Sequence, residues 1–104
     1  MIEFSLQDDV LLLDGDFGRD DIVALEAELP PLLTRCTVCD CDNLDIDGGM
    51  AMAALVRLLL HRALDRTLVV RGAPQMLAHN LYRTHGLERG VTLENVRFDE
   101  ASVQ

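Results

Sequence analysis

Three short buried-strand candidates, at residues 10–13, 36–41 and 67–70, alternate with stretches whose apolar residues recur at helical spacing. Strands separated by helices need crossover connections, and those leave neighbouring strands parallel. The alternation therefore restricts the chain to an α/β sandwich. Upstream, Ile2, Phe4 and Leu6 alternate with Glu3 and Ser5, the period of a half-buried strand. That strand lies close enough to Val10 for a hairpin, so the sheet is expected to be mixed, with four to five strands. Helices of this number are expected to cover mainly one face. The 104 residues suit a single domain spanning 1–104.

The first helix is expected to open on Asp20 and Asp21, where the helix dipole favours acids. Ile22, Leu25, Leu29 and Leu32 form its apolar stripe, and Pro30-Pro31 should stop or kink it. The run 10–13 should close in a turn at Asp14-Gly15, and the run 36–41 in an acidic loop over 42–47. A long helix follows over 48–64, with Met52, Leu55, Val56, Leu59 and Leu60 on one face. Pro74 suits the first turn of a third helix, which should bury Leu77, Leu81 and Thr84. Gly86 is expected to supply the left-handed stop, with Leu87 folding back onto the last turn. A last strand covers 91–93, with an extension toward Phe98 left open; residues 98–104 fit either the start of another helix or a tail.

Charge narrows the partners. The net charge is −9, and all nine basic residues are Arg. Residues 1–47 hold thirteen acids against Arg19 and Arg35, a net of −11. That field repels nucleic-acid phosphates and anionic lipid surfaces. A solubilising surface and a docking surface for a basic protein both fit it. The longest apolar run, 53–60, is interrupted by Arg57 and falls short of a membrane span, so no direct membrane insertion is expected. Met1-Ile2-Glu3-Phe4 lacks the regions of a signal peptide, which suits three cysteines held as thiols in a reducing cytoplasm.

No catalytic constellation emerges. Cys36, Cys39 and Cys41 contain a C-x-x-C, but it lies in a strand rather than at a helix N-terminus, and no fourth metal ligand follows. Alternation places Cys36 on the opposite face from Cys39 and Cys41. Asp40, Asp42, Asp45 and Asp47 fail the calcium-loop pattern, with Asp45 where it needs glycine and Ala51 where it needs glutamate. Asp47-Gly48-Gly49 has the outline of a phosphate-binding turn without its full motif, so nucleotide binding is at most weak. Its plainer role is mechanical, Asp47 capping the helix and the glycines turning the chain. His61, His79 and His85 read as structural. Neither a metal nor another cofactor is expected, and the chain does not read as an enzyme.

The order of motifs resembles the STAS domain, found in anti-sigma factor antagonists and in sulfate-transporter tails. The resemblance is carried by Leu12-Leu13-Asp14-Gly15-Asp16, by Val38-Cys39-Asp40-Cys41 through Ile46-Asp47-Gly48-Gly49-Met50, by Leu68-Val69-Val70, and by Pro74-Gln75-Met76 through Thr84-His85-Gly86-Leu87. It implies a bacterial signalling module that docks an anti-sigma factor or a serine kinase through residues 45–54. Asp45, Asp47, Gly48, Gly49, Met50, Ala51 and Ala54 are the implied partner-binding residues, with Met50 open between core and contact. The family's phosphoacceptor Ser corresponds to Gly48, so the hydroxyl of that switch is missing. A second STAS branch, the small subunit of bacterial phospholipid-transport ABC systems that binds the ATPase, also resembles the chain through its Gly-Gly pair.

Overall fold

The structure, a computed structural model, describes residues 2–98. The chain runs β1 (Ile2–Gln7), β2 (Val10–Phe17), α1 (Ile22–Leu33), β3 (Val38–Ile46), α2 (Gly49–Ala63), β4 (Leu68–Arg71), α3 (Gln75–Arg83) and β5 (Val91–Glu94). Short 3-10 turns precede α1 at Arg19–Asp21 and follow α3 at Gly86–Glu88. The five strands form one sheet in chain order. β1 and β2 pair antiparallel as a hairpin, and β2 through β5 are parallel, so the sheet is mixed as expected.

Alternation assigns the faces. Leu11 and Leu13 of β2, Cys39 and Cys41 of β3, Leu68 and Val70 of β4 and Val91 of β5 are buried under the helices. Their neighbours Leu12, Val38, Val69 and Arg71 are only half-buried on the opposite face. Leu25, Leu29 and Leu33 of α1 and Leu55 and Leu59 of α2 close the core from the helical side. Each fully buried leucine contributes roughly 1.5–3 kcal/mol of transfer free energy.

Several local expectations change in three dimensions. β2 does not end at Asp14-Gly15 but continues to Phe17, with Gly15 accommodating a φ of 100° inside the strand. The segment expected as an acidic loop is largely strand, because β3 runs on to Ile46. Its acids are accommodated by a bulge: Leu12 pairs with Asp40 and Asp14 with Asn43, so β3 carries one extra residue. The buried side then passes from Cys39 and Cys41 to Leu44, and Asp42 and Asp45 remain exposed.

α1 passes through Pro30 and Pro31 and ends only at Leu33. The rings remove amides due to the carbonyls of Glu26 and Ala27, but burial of Leu29 and Leu33 holds the last turn in place. β3 starts at Val38, so strand alternation does not govern Cys36; its thiol points to the Leu33 carbonyl at 3.5 Å and joins the same core as Cys39 and Cys41. The left-handed residue after α3 is His85, at φ 63°, not Gly86. Gly86 is buried for another reason, since a Cβ there would lie 2.8 Å from Leu60 Cδ2 and 2.9 Å from the Leu81 carbonyl oxygen. Thr84 is exposed rather than buried and turns its hydroxyl to the Asn80 carbonyl, and Leu87 stays 43% exposed. Past β5 the chain bridges Pro74 through Arg97; the expectations for 99–104 fall outside the described residues.

Candidate functional site

The site sits where β3 hands over to α2, at the carboxyl end of the parallel strands. The Asp47 amide donates to the Phe17 carbonyl at 2.8 Å, tying the end of β3 to the end of β2. Gly48 then takes φ 95° and ψ 156°, a region essentially confined to glycine. This conformation makes Gly48 the N-cap of α2 and displaces Asp47 from that role, so the expected side-chain cap is not formed. Asp45 and Asp47 stand exposed on either side of Ile46, and Asp45 lies opposite Asp16 of β2.

Of the seven sequence-derived residues, Asp45, Asp47, Gly48, Gly49 and Met50 reach the surface together, Met50 with 62% exposure. Its place is thus on the surface and not in the core. Ala51 and Ala54 correct the expectation: they are 1% and 7% exposed and pack into the core, Ala54 also lining the hollow beside Met50. Helical spacing puts residues 51, 55 and 59 on the inner face and residues 50, 53 and 57 on the outer one. Ala53 and Arg57 are therefore the surface residues that the sequence reading passed over. Their i+3 and i+7 spacing from Met50 was the available signal.

A groove of about 620 Å³ runs between α2 and α3 from this corner. Ile46, Gly48 and Gly49 form its upper end. Along α2 it is walled by two rows at four-residue steps, Gly49-Ala53-Arg57 and Met52-Val56-Leu60. The facing row on α3 is Met76-Asn80-Thr84, at the same step. On the other side of Ala53, Ile22, Glu26 and Met50 line a shallower hollow against α1. Arg57 borders both hollows and is ion-paired with Glu26.

Arg97 braces the corner from behind. Its Nε donates to the Gly72 carbonyl at 2.8 Å and its Nη2 to the Cys41 carbonyl at 2.9 Å, with a further contact to the Leu44 carbonyl. The guanidinium thus occupies carbonyls of β3 and of Gly72 that lie past Asp40 and Arg71, where the β3–β4 ladder ends.

The cysteines lie deep in the core and all three are free thiols. The Cys39 thiol is pushed well up by its hydrogen bond with Cys41 and by burial, and burial also raises Cys36 against the pull of Arg62 and Arg66. Raised thiol pKa values leave little thiolate for nucleophilic or metal chemistry. Among the described residues, no group of three or more His, Cys, Asp or Glu side chains is placed to hold a metal ion. His61, His79 and His85 are all exposed. Among the described residues, no helix is long and apolar enough to cross a membrane.

The solved structure of the Bacillus cell fate determinant SpoIIAA in its phosphorylated form superposes on this chain with a TM-score of 0.60. The match covers 99% of this chain and 96% of that one, at 7% sequence identity. The fold is that of a STAS domain. No protein-family model matches the sequence, and no curated protein matches it significantly. The STAS likeness therefore lives in the backbone: the hairpin, the parallel strands and the helix that begins after β3. Gly48, which the sequence resemblance implies to be the phosphoacceptor-equivalent position, stands at the exposed N-cap of α2.

Proposed function

We propose that the chain is a non-catalytic protein-interaction module of the cytoplasm that resembles an anti-sigma factor antagonist. It docks an anti-sigma factor or serine-kinase partner through the corner formed by Asp45, Asp47, Gly48, Gly49 and Met50. Ala53 takes the surface role first given to Ala51 and Ala54. The observation that carries the reading is the convergence of two exposed carboxylates, an uncapped helix start and a 62% exposed methionine at one corner of a STAS fold. An acidic rim with an adaptable apolar centre suits a basic protein surface.

Phosphorylation at this corner would act by placing charge at a helix start inside an interface. Gly48 has no hydroxyl and holds a backbone that serine adopts only under strain, so the module stays in its binding form.

The test is capture of partners by the tagged full chain, wild type beside Asp47→Arg, with identification by mass spectrometry. Asp47 is exposed and caps nothing, so the variant should keep its melting temperature while losing an anti-sigma or kinase-fold protein. Equal capture by both proteins would overturn the corner as the interface. Capture of a P-loop ATPase instead would move the chain to the phospholipid-transport branch.

A further inference from the structure

We infer that the groove between α2 and α3 seats an amphipathic helix of the partner protein, apolar along its inserted face and basic at the end beside Asp45 and Asp47. This rests on the docking reading above and adds the chemistry of the element that docks.

Shape is the first argument. Both helices wall the groove with residues at four-residue steps, the ridges against which a third helix packs. α2 and α3 each lead back from the carboxyl end of a parallel strand, so they run side by side in the same direction. From Gly49 to Leu60 the wall extends about 16 Å at 1.5 Å per residue, the length of about three helical turns. Ala53 lowers the ridge midway along it, where a larger side chain would hold a partner backbone away.

Chemistry selects the inserted face. Met52, Val56, Leu60 and Met76 dominate the walls, and methionines adapt to varied apolar side chains. The polar walls are already engaged: Asn80 Nδ2 donates to the Met76 carbonyl at 2.8 Å, and the Thr84 hydroxyl donates to the Asn80 carbonyl at 2.8 Å. A polar small molecule would find few free donors here, while apolar side chains lose nothing.

Charge sets the direction. Among the described residues, Arg57 is the one charged residue lining the groove, and Glu26 already pairs with it. The carboxylates stand beyond the upper end, where Asp45 and Asp47 flank Ile46. A helix accommodates cations best in its C-terminal turn. The bound helix therefore runs antiparallel to α2, with that basic turn against the two aspartates.

The test is selection of a displayed library of helical peptides, about three turns long, on the full chain. Enriched peptides should carry Leu, Ile or Met at i, i+4 and i+7 with Arg or Lys at the C-terminal end. Their affinity should fall at least about tenfold in both Ala53→Arg and Met76→Glu, which obstruct the groove from opposite walls at exposed positions. Val23→Arg, 80% exposed on α1, should leave it unchanged. Selection of acidic or non-helical peptides, or equal binding by both obstructed variants, would overturn the inference. So would self-association of the chain that either obstruction abolishes, because the occupant would then be a second copy. A captured protein partner that Asp47→Arg loses but both obstructed variants retain overturns the groove and leaves the docking corner standing.

Discussion

Arg62 donates its Nε–H to the carbonyl of Leu33 at 2.7 Å, joining the last turn of α2 to the last turn of α1. Its Nη2 donates to the Cys36 carbonyl at 2.7 Å and its Nη1 to the Arg66 carbonyl at 2.6 Å. Arg62 is only 5% exposed, yet among the described residues it forms no ion pair; three carbonyls satisfy the guanidinium instead. Leu33 is the last residue of α1, so its carbonyl lies beyond the intrahelical amides and takes a donor from another element. Arg62→Met should cost about 3 kcal/mol, because the three carbonyls lose their shared donor. Arg62→Lys should recover less than half, a point charge being unable to fork. Urea denaturation decides it, and a loss below about 1 kcal/mol would show the carbonyls to be satisfied in another way.

The two glycines at the start of α2 should respond in opposite ways to the same side chain. Gly48, at φ 95°, makes serine strained, whereas a Cβ on Gly49 meets open space. Gly48→Ser is expected to cost about 2 kcal/mol, and Gly49→Ser to stay within about 0.5 kcal/mol of the wild type. Thermal melts of the two variants suffice. Equal losses would mean that the turn relaxes freely.

Gly86 separates close approach from backbone conformation. Its Cβ would press on Leu60 and on the Leu81 carbonyl, so Gly86→Ala should lose about 2 kcal/mol. His85, at φ 63°, carries the left-handed geometry, so His85→Gly should hold or raise stability. The reverse ranking in chemical denaturation would return the helix stop to Gly86.

Stability should fall with rising pH above the ordinary thiol range. Cys36 and Cys39 have raised pKa values, so the native state keeps protons that the unfolded chain releases above about pH 8.5. Unfolding there releases protons, and the folding free energy declines as pH increases; below that range the two states bind the same thiol protons. Urea midpoints from pH 7 to pH 10, roughly spanning the free-thiol value, should show the decline, and a Cys36→Ala/Cys39→Ala variant should show a shallower slope. An unchanged slope would place its origin elsewhere.

How much of this was legible in the sequence depends on range. The hairpin, the βαβ order and the single covered face follow from periodicity, because period-two and helical patterns each bury one side. The site was legible as a stretch but not as a surface. Asp45, Asp47, Gly48, Gly49 and Met50 share a corner as their junction position suggests, yet Ala51 and Ala54 turn inward. Alanine's small apolar side chain suits either environment, so composition does not choose between them.

The local pattern alone determined the element types, the acidic N-terminal half and the glycine junction. These depend on neighbours a few residues apart, where side-chain spacing and backbone freedom act directly. Tertiary structure decided the rest: that β3 absorbs its acids through a bulge, that α1 survives its prolines, that Arg62 and Arg97 occupy orphaned carbonyls, and that Ala53 opens a groove. Each depends on a partner tens of residues away, whose burial or hydrogen bonding outweighs the local preference.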